Sequence, residues 1–253
     1  MTEIYPIILM VITATCAGLI GSFALMRRMA LAGDAISHIA LPGIGVALLL
    51  QLNPVLGGAV ALLLGSLLIW QLERKTSLAT ESIIGIVFTA SLAIGALITP
   101  SEDIVEALFG NFGKVEPWFF ALSLLAAALV IIFVATQKNK MVLSLLSPEL
   151  AQTSGVNIDR MNLYFILSFS LTIILGLQFL GALLMGSLII IPAAIARQLS
   201  HSFRGFLTIS AVSAVASVLL GFLIANAYGL TLGPTVVAIA TAIFLVSLLL
   251  PHK

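Results

Sequence analysis

Apolar runs long enough to cross a lipid bilayer recur from one end of this 253-residue sequence to the other. Hydrophobic residues make up 61% of the chain and charged residues only 8%, whereas about a quarter of the residues of a typical soluble domain are charged. A spanning segment must satisfy its own backbone hydrogen bonds, and runs of about 20 apolar residues do so as helices. We therefore predict an all-α, polytopic membrane protein with a single transmembrane domain over residues 1–253.

Nine membrane-spanning helices are predicted from the positions of these runs. The weakest boundary lies near Gly181, where two predicted spans meet with almost no loop. Eight crossings plus a broken or re-entrant segment are therefore the alternative. Residues 101–116 are too polar to span and are predicted to form a short surface helix or a re-entrant turn. The nine spans are residues 4–26, 29–50, 54–72, 82–98, 117–135, 161–177, 179–196, 206–225 and 235–250.

The basic residues predict how the chain is oriented in the membrane. With nine spans and an external N-terminus, ten of the eleven Lys and Arg residues fall on one side, and only Lys114 lies on the other. Loops that stay in the cytoplasm are enriched in Lys and Arg, so the crowded side is expected to be cytoplasmic. No basic patch suited to nucleic acid is visible in the sequence. The ten residues are Arg27, Arg28, Arg74, Lys75, Lys138, Lys140, Arg160, Arg197, Arg204 and Lys253.

Two ionisable residues, Asp34 and His38, lie inside the second predicted span. Their spacing of four residues puts both side chains on one face of a helix. Such residues are costly at membrane depth unless they face a partner or a hydrated path. A carboxylate and an imidazole suit a divalent ion such as Zn²⁺, Mn²⁺ or Fe²⁺. A structural Asp–His hydrogen bond within the bundle is the alternative, and the pair alone does not decide between them.

Three residues are predicted to break or bend helices. Pro42 has no N–H to donate to the carbonyl of His38, so that carbonyl is expected to be free to join the candidate metal ligands. Gly43 would let another backbone or a cation approach closely. Pro192 is expected to produce a kink or hinge in the seventh span.

The interval 141–160 is predicted to carry a short helix on the cytoplasmic side. Ser147 suits the N-cap, Pro148 the first helical position and Glu149 the first turn, and the residues from Leu150 to Ser154 continue the short helix. Gly155 can end the helix in a left-handed conformation. A two-turn helix of this kind either docks a partner or simply closes the connection between two spans.

The stretch from Arg27 to Gly45, RRMALAGDAISHIALPGIG, closely resembles the signature of the ABC-type zinc/manganese/iron permease family. Further similarity covers residues 81–95 (ESIIGIVFTASLAIG), 108–110 (LFG), 147–157 (SPELAQTSGVN) and 181–197 (GALLMGSLIIIPAAIAR). The first motif is highly specific because its Asp, His and Pro are all in register. The others support it, and the resemblance runs the length of the chain.

This resemblance implies the membrane subunit of a metal-uptake importer, with a fold like that of type II ABC importer permeases. It also implies a multi-pass position in the prokaryotic plasma membrane, a homodimer, two cytoplasmic ATPase subunits and an external metal-binding protein. Asp34 and His38 would lie on the path of the transported Zn²⁺ or Mn²⁺, and no permanently bound cofactor is expected. The helix at Ser147–Gly155 would couple the permease to the ATPase.

The chain is expected to be a transport subunit rather than an enzyme. ATP hydrolysis is expected from a separate ATPase subunit, because this sequence contains no Gly-x-x-x-x-Gly-Lys-Ser/Thr phosphate loop. One alternative is an ion-coupled secondary transporter that uses Asp34 and His38 as a relay. Another is an ABC permease for a metal chelate, which would have no use for this pair. The sequence leaves zinc, manganese and iron open, and it leaves open whether two chains share one ion.

Overall fold

The computed structural model describes residues 4–98 and 117–249, and these residues form ten helices without a β-strand. The predicted all-α fold is confirmed, and the predicted surface segment at 101–116 lies outside the described residues. The helices are α1 (Ile4–Met26), α2 (Ala32–Ser37), α3 (Ala40–Leu49), α4 (Pro54–Lys75), α5 (Thr80–Ile98), α6 (Pro117–Leu146), α7 (Pro148–Thr153), α8 (Ile158–Leu199), α9 (Phe203–Tyr228) and α10 (Leu232–Leu248).

Seven helical stretches of the described residues are long and apolar enough to cross a membrane. One of them, Ala32–Leu49, joins α2 and α3. Two shorter apolar helices accompany the seven, at Leu184–Leu199 and Leu232–Leu248. Each of these stretches overlaps one predicted span, and α6 continues about three turns beyond its predicted end.

The long helix α8 is a hairpin rather than a straight rod. Gly181 has φ 72° and ψ 174°, a conformation that suits glycine because it has no Cβ. The sulfur of Met185 packs directly against Gly176, although nine residues of straight helix would separate their backbones by about 13.5 Å. The chain therefore folds back near Gly181 into a first arm, residues 158–177, and a second arm, residues 184–199.

Both ends of this hairpin lie at the same end of the bundle. Arg27, which follows α1, donates to Asn162 Oδ1 near the start of α8 at 3.0 Å. Phe203, which follows α8, packs edge-on against Phe23 of α1 with ring centroids 5.9 Å apart. The two arms therefore run antiparallel to each other along α1.

Helix α1 lies in the centre and is packed closely through small residues. Gly21 meets the backbone of Ile189 in the second arm, and Ser210 Oγ of α9 donates to the carbonyl of Gly18 at 2.7 Å. In a lipid bilayer the hydrophobic effect does not drive helices together, so they associate through close packing, and small residues let their backbones approach. Helix α1 is thereby in close contact with both the second arm and α9.

A second close crossing joins α3 to α4. Gly43 and Gly57 face each other, and each would place a Cβ against the other's carbonyl. A Cβ at Gly95 of α5 would lie 2.8 Å from Leu41 Cβ, so α5 packs on the same short helix. Helices α3, α4 and α5 thus form a tightly packed group beside the hairpin.

All nine Lys and Arg residues within the described ranges lie at one end of the bundle. This end gathers the end of α1, the α4–α5 connection, the segment from α6 to α8, and the α8–α9 connection. Arg74 Nε, for example, lies 3.7 Å from Asp159 Oδ2 at the start of α8. A one-sided distribution of this kind is typical of the cytoplasmic face of a membrane protein. The nine are Arg27, Arg28, Arg74, Lys75, Lys138, Lys140, Arg160, Arg197 and Arg204.

Candidate metal site

The predicted span 29–50 is broken into α2 and α3 at His38 and Ile39. The backbone tightens there, because the N–H of Leu41 donates to the carbonyl of His38 at 3.1 Å. The prediction of a free His38 carbonyl is therefore wrong. Since Pro42 cannot supply the i→i−4 bond, the chain makes an i→i−3 bond from the preceding residue instead.

Asp34 and His38 face each other across one helical turn. Asp34 Oδ1 lies 3.7 Å from His38 Nε2, too far for a good hydrogen bond. Two ligands of one tetrahedral zinc ion would be about 3.4 Å apart at metal–ligand distances of about 2.1 Å. The pair is therefore close to a spacing that a single cation can bridge.

The two side chains differ in exposure. In the single chain, 50% of the Asp34 side chain is exposed, against 9% for His38. His38 is buried against Phe88 of α5, with ring centroids 5.5 Å apart. Its Nδ1 is buried and has no hydrogen-bond partner among the described residues. Histidines at resident metal sites usually donate a hydrogen bond from this second nitrogen to a carbonyl or carboxylate. Here the contact with Phe88 holds the ring instead.

The backbone of Asp34 rests on the second arm of α8. A Cβ at Gly186 would lie 2.5 Å from the Asp34 nitrogen and 2.7 Å from its Cα. Gly186 is thirteen residues before Leu199, the end of α8, which is roughly 20 Å along a helix. The candidate site therefore lies well inside the bundle.

One chain brings few metal ligands together here. Among the described residues, no group of three or more His, Cys, Asp and Glu side chains is placed to hold a metal ion. Asp34 and His38 supply one carboxylate and one imidazole. A complete coordination shell would need donors from water, backbone carbonyls or another chain.

The predicted hinge residues have different surroundings. Pro42 lies in the first turn of α3, after the break, and Gly43 makes the close contact with Gly57. Pro192 lies within the second arm, and its carbonyl accepts a hydrogen bond from Ser213 Oγ at 3.3 Å. Gly181 is the residue of α8 with non-helical dihedrals, so a hinge at Pro192 stays a prediction.

The predicted short helix is present as α7, with its predicted caps. Ser147 Oγ accepts a hydrogen bond from the Leu150 N–H at 3.3 Å, Pro148 opens the helix and Glu149 lies in its first turn. Gly155 follows with φ 79°. Leu150 is 59% exposed. An apolar side chain is thus presented at the basic end of the bundle.

A polar cluster at the basic end of the bundle was not predicted. Asn162 Nδ2 donates to Glu73 Oε1 at 3.1 Å, and Thr80 Oγ1 donates to the same oxygen at 2.8 Å. Arg27 donates to Asn162 and lies over the ring of Phe165 at 4.3 Å. Burial lowers the pKa of Arg27 to about 10, and the Glu73 carboxylate opposes that shift.

This cluster lines a cavity of about 310 Å³ at the basic end. Arg27 and Glu73 each come directly after the end of a predicted span, and this position is the signal that could have drawn attention to them. Their meeting with Asn162 and Thr80 depends on how four helices pack, and no local pattern encodes that.

Comparisons with known proteins give one consistent result. Residues 4–251 match the model of the ABC 3 transport family. The chain is 30% identical over 241 residues to the manganese transport system membrane protein MntC of Listeria monocytogenes, covering 94% of this chain and 86% of that protein. It is 31% identical to the high-affinity zinc uptake system membrane protein ZnuB of Buchnera aphidicola, with coverage of 94% and 93%.

A solved structure shares the fold. PsaBC from Streptococcus pneumoniae, in complex with a Fab, superposes with a TM-score of 0.81 at 25% sequence identity. The match covers 96% of this chain and 89% of that one. The order and packing of the helices described above are thus those of this solved structure.

Proposed function

Since this chain belongs to the ABC 3 transport family, we propose that it is the permease subunit of an ABC importer that carries Zn²⁺ or Mn²⁺ across a prokaryotic plasma membrane. The relatives named for manganese and zinc transport support this class of substrate without choosing between the two metals. The observation that carries the proposal is the Asp34–His38 pair, 3.7 Å apart inside an apolar helix bundle.

The exposure of Asp34 supports a role on the transport path. A carboxylate that is half exposed at this depth cannot face lipid without a large free-energy cost. It must instead face water or another polar surface. A hydrated path for a cation satisfies Asp34, and His38 Nε2, 3.7 Å from the Asp34 carboxylate, lies beside the same path.

The same proposal includes two further kinds of subunit. The sequence has no phosphate loop, so ATP hydrolysis is assigned to a separate cytoplasmic ATPase. The capped helix α7, with Leu150 exposed, is the proposed docking element for that ATPase. A binding protein outside the cell delivers the metal.

We place the N-terminus outside and count nine crossings. The one-sided distribution of basic residues supports this orientation. The two arms of α8 are counted as two crossings, because both ends of the hairpin lie near the end of α1. Arg27 contacts Asn162 near the start of α8, and Phe23 contacts Phe203, just beyond its end.

The function is tested by uptake into liposomes that contain the permease, its ATPase and its binding protein. We expect ATP-dependent uptake of Mn²⁺ or Zn²⁺ that persists when the proton gradient is collapsed. Fe²⁺ is measured in parallel, and an iron chelate is added as a competitor that should have no effect. Uptake driven by a proton gradient without ATP would instead identify a secondary transporter.

We further propose that two chains share one ion. A two-fold dimer places identical surfaces opposite each other. If the half-exposed Asp34 faces that axis, two Asp34 and two His38 side chains provide two oxygen and two nitrogen donors. Among the described residues His38 Nδ1 has no hydrogen-bond partner, and a histidine held without such a partner suits an ion that must be released.

A mixed dimer tests the shared site. One wild-type chain is combined with one Asp34→Ala/His38→Ala chain, each carrying a different purification tag. We expect transport far below half of the wild-type rate, because each ion loses half of its protein donors. Transport at half the wild-type rate would show that each chain works with a separate site.

A further inference from the structure

Gly186 in the second arm of α8 lies in backbone contact with the helix that carries Asp34. An added Cβ would come within 2.5 Å of the Asp34 nitrogen, 2.7 Å of its Cα and 2.8 Å of the Gly33 carbonyl carbon. These are backbone atoms, which cannot rotate out of the way. Because carbon atoms pack at about 3.5–4.0 Å, any side chain at this position would push α2 away by on the order of 1 Å.

Both helices contribute a glycine to this contact, Gly186 from the second arm of α8 and Gly33 from α2. A Cβ at Gly33 would lie 3.2 Å from both the Cα and the carbonyl oxygen of Gly186, a milder overlap. The second arm is itself fixed, because Ile189 packs on Gly21 of α1 and the Pro192 carbonyl accepts from Ser213 of α9. Asp34 therefore rests on a rigid support.

His38 depends on a different neighbour. Its ring packs against Phe88 of α5, and its Nδ1 has no hydrogen-bond partner among the described residues. The two candidate ligands are four residues apart in sequence, yet each is held by a different helix. Their separation of 3.7 Å therefore reflects where α2 sits between α5 and the second arm.

We propose that Gly186 is a positioning residue, which sets the place of the Asp34 carboxylate relative to His38 through direct backbone contact. This inference rests on the proposed role of Asp34 in metal transport. Gly186 touches no metal, and its effect passes through the backbone of α2. Since a bound cation is sensitive to small displacements of its ligands, a methyl group at Gly186 should weaken metal binding without removing any ligand.

The test uses three alanine variants of the assembled permease–ATPase complex. Gly186→Ala is the strong change, and Gly33→Ala is the mild change at the same contact. Gly221→Ala is the matched control, because its Cβ would lie 2.6 Å and 2.7 Å from Val236 Cγ2 and Cα in the α9–α10 crossing, which contains neither candidate ligand. Equilibrium binding of Mn²⁺ and Zn²⁺ is measured, together with KM and the maximal rate of uptake.

We expect Gly186→Ala to lower metal affinity by about tenfold or more, as changes to supporting residues of metal sites generally do. The ratio of Zn²⁺ to Mn²⁺ affinity should also change, because the ligand spacing changes. The metal affinity of Gly33→Ala should lie between that of Gly186→Ala and that of wild type, and Gly221→Ala should bind metal normally. If Gly186→Ala does not assemble, Gly33→Ala with altered affinity and selectivity still supports the proposal.

The proposed positioning role of Gly186 would be overturned if metal affinity and selectivity were unchanged in Gly33→Ala and in any assembled Gly186→Ala. An equal loss in Gly221→Ala would also overturn it, because that loss would reflect general packing strain. Asp34→Asn in the same assay separates the two proposals. If Asp34→Asn binds and transports metal normally, the metal path itself is misplaced. If Asp34→Asn is inactive while the glycine variants bind normally, only the positioning role fails.

Discussion

Metal uptake should fall to background when either Asp34 or His38 is replaced by alanine. The two side chains are 3.7 Å apart, and no group of three or more His, Cys, Asp and Glu residues that could replace them occurs among the described residues. Removing one of two donors halves the protein's contribution to the ion's coordination. The permease should still insert and bind its ATPase, because α7 lies at the basic end, far along the chain from α2.

Uptake of radioactive or fluorescently detected metal is measured at matched amounts of assembled complex. Ser37→Ala serves as the control, because Ser37 lies on the same short helix and its hydroxyl donates to the Asp34 backbone carbonyl at 2.8 Å rather than to either candidate ligand side chain. This variant should retain most of its uptake. Wild-type uptake in both Asp34→Ala and His38→Ala would remove the pair from the path.

Features set by neighbours in sequence were predictable from sequence. The start and end of α7 follow from Ser147 and Gly155, because an N-cap hydroxyl and a left-handed glycine act within one turn. The positions of the long helices were also predictable, because each helix coincides with a continuous apolar run of the sequence. The spacing that brings Asp34 to His38 spans a single turn, so this part of the site was also predictable.

Features that depend on distant packing were not predictable. The contact of Gly186 with Asp34 joins residues about 150 positions apart. The cluster of Arg27, Asn162 and Glu73 likewise needs three helix ends to meet.

Helix α7 is well placed to pass a displacement into the bundle. It is followed after four residues by α8, whose first turn is tied to α4. Trp70 Nε1 donates to the Asp159 carbonyl at 3.1 Å, and Arg74 lies 3.7 Å from the Asp159 carboxylate. One turn further, Asn162 joins α8 to Arg27 and Glu73. A movement of α7 would therefore reach α4 and the end of α1 together.

Replacing both Glu149 and Leu150 by glycine should release the ATPase from the membrane complex. Each glycine costs a helix about 1 kcal/mol relative to alanine, and a helix of six residues has little stability to lose. The change also removes the exposed Leu150 side chain, the apolar group proposed to anchor the ATPase. Insertion and metal binding should be preserved, since Asp34 and His38 lie on other helices.

The measurement is the amount of ATPase that co-purifies with tagged permease, together with metal uptake driven by ATP. A Gln152→Ala/Thr153→Ala variant is the control, because it alters the same helix with good helix-forming residues and leaves Leu150 in place. It should retain the ATPase. Deletion of residues 148–154 should reproduce the loss seen with the two glycines. If the glycine variant retains the ATPase at full yield and transports metal normally, then α7 only closes the connection between α6 and α8, and the ATPase must dock on another part of the basic face.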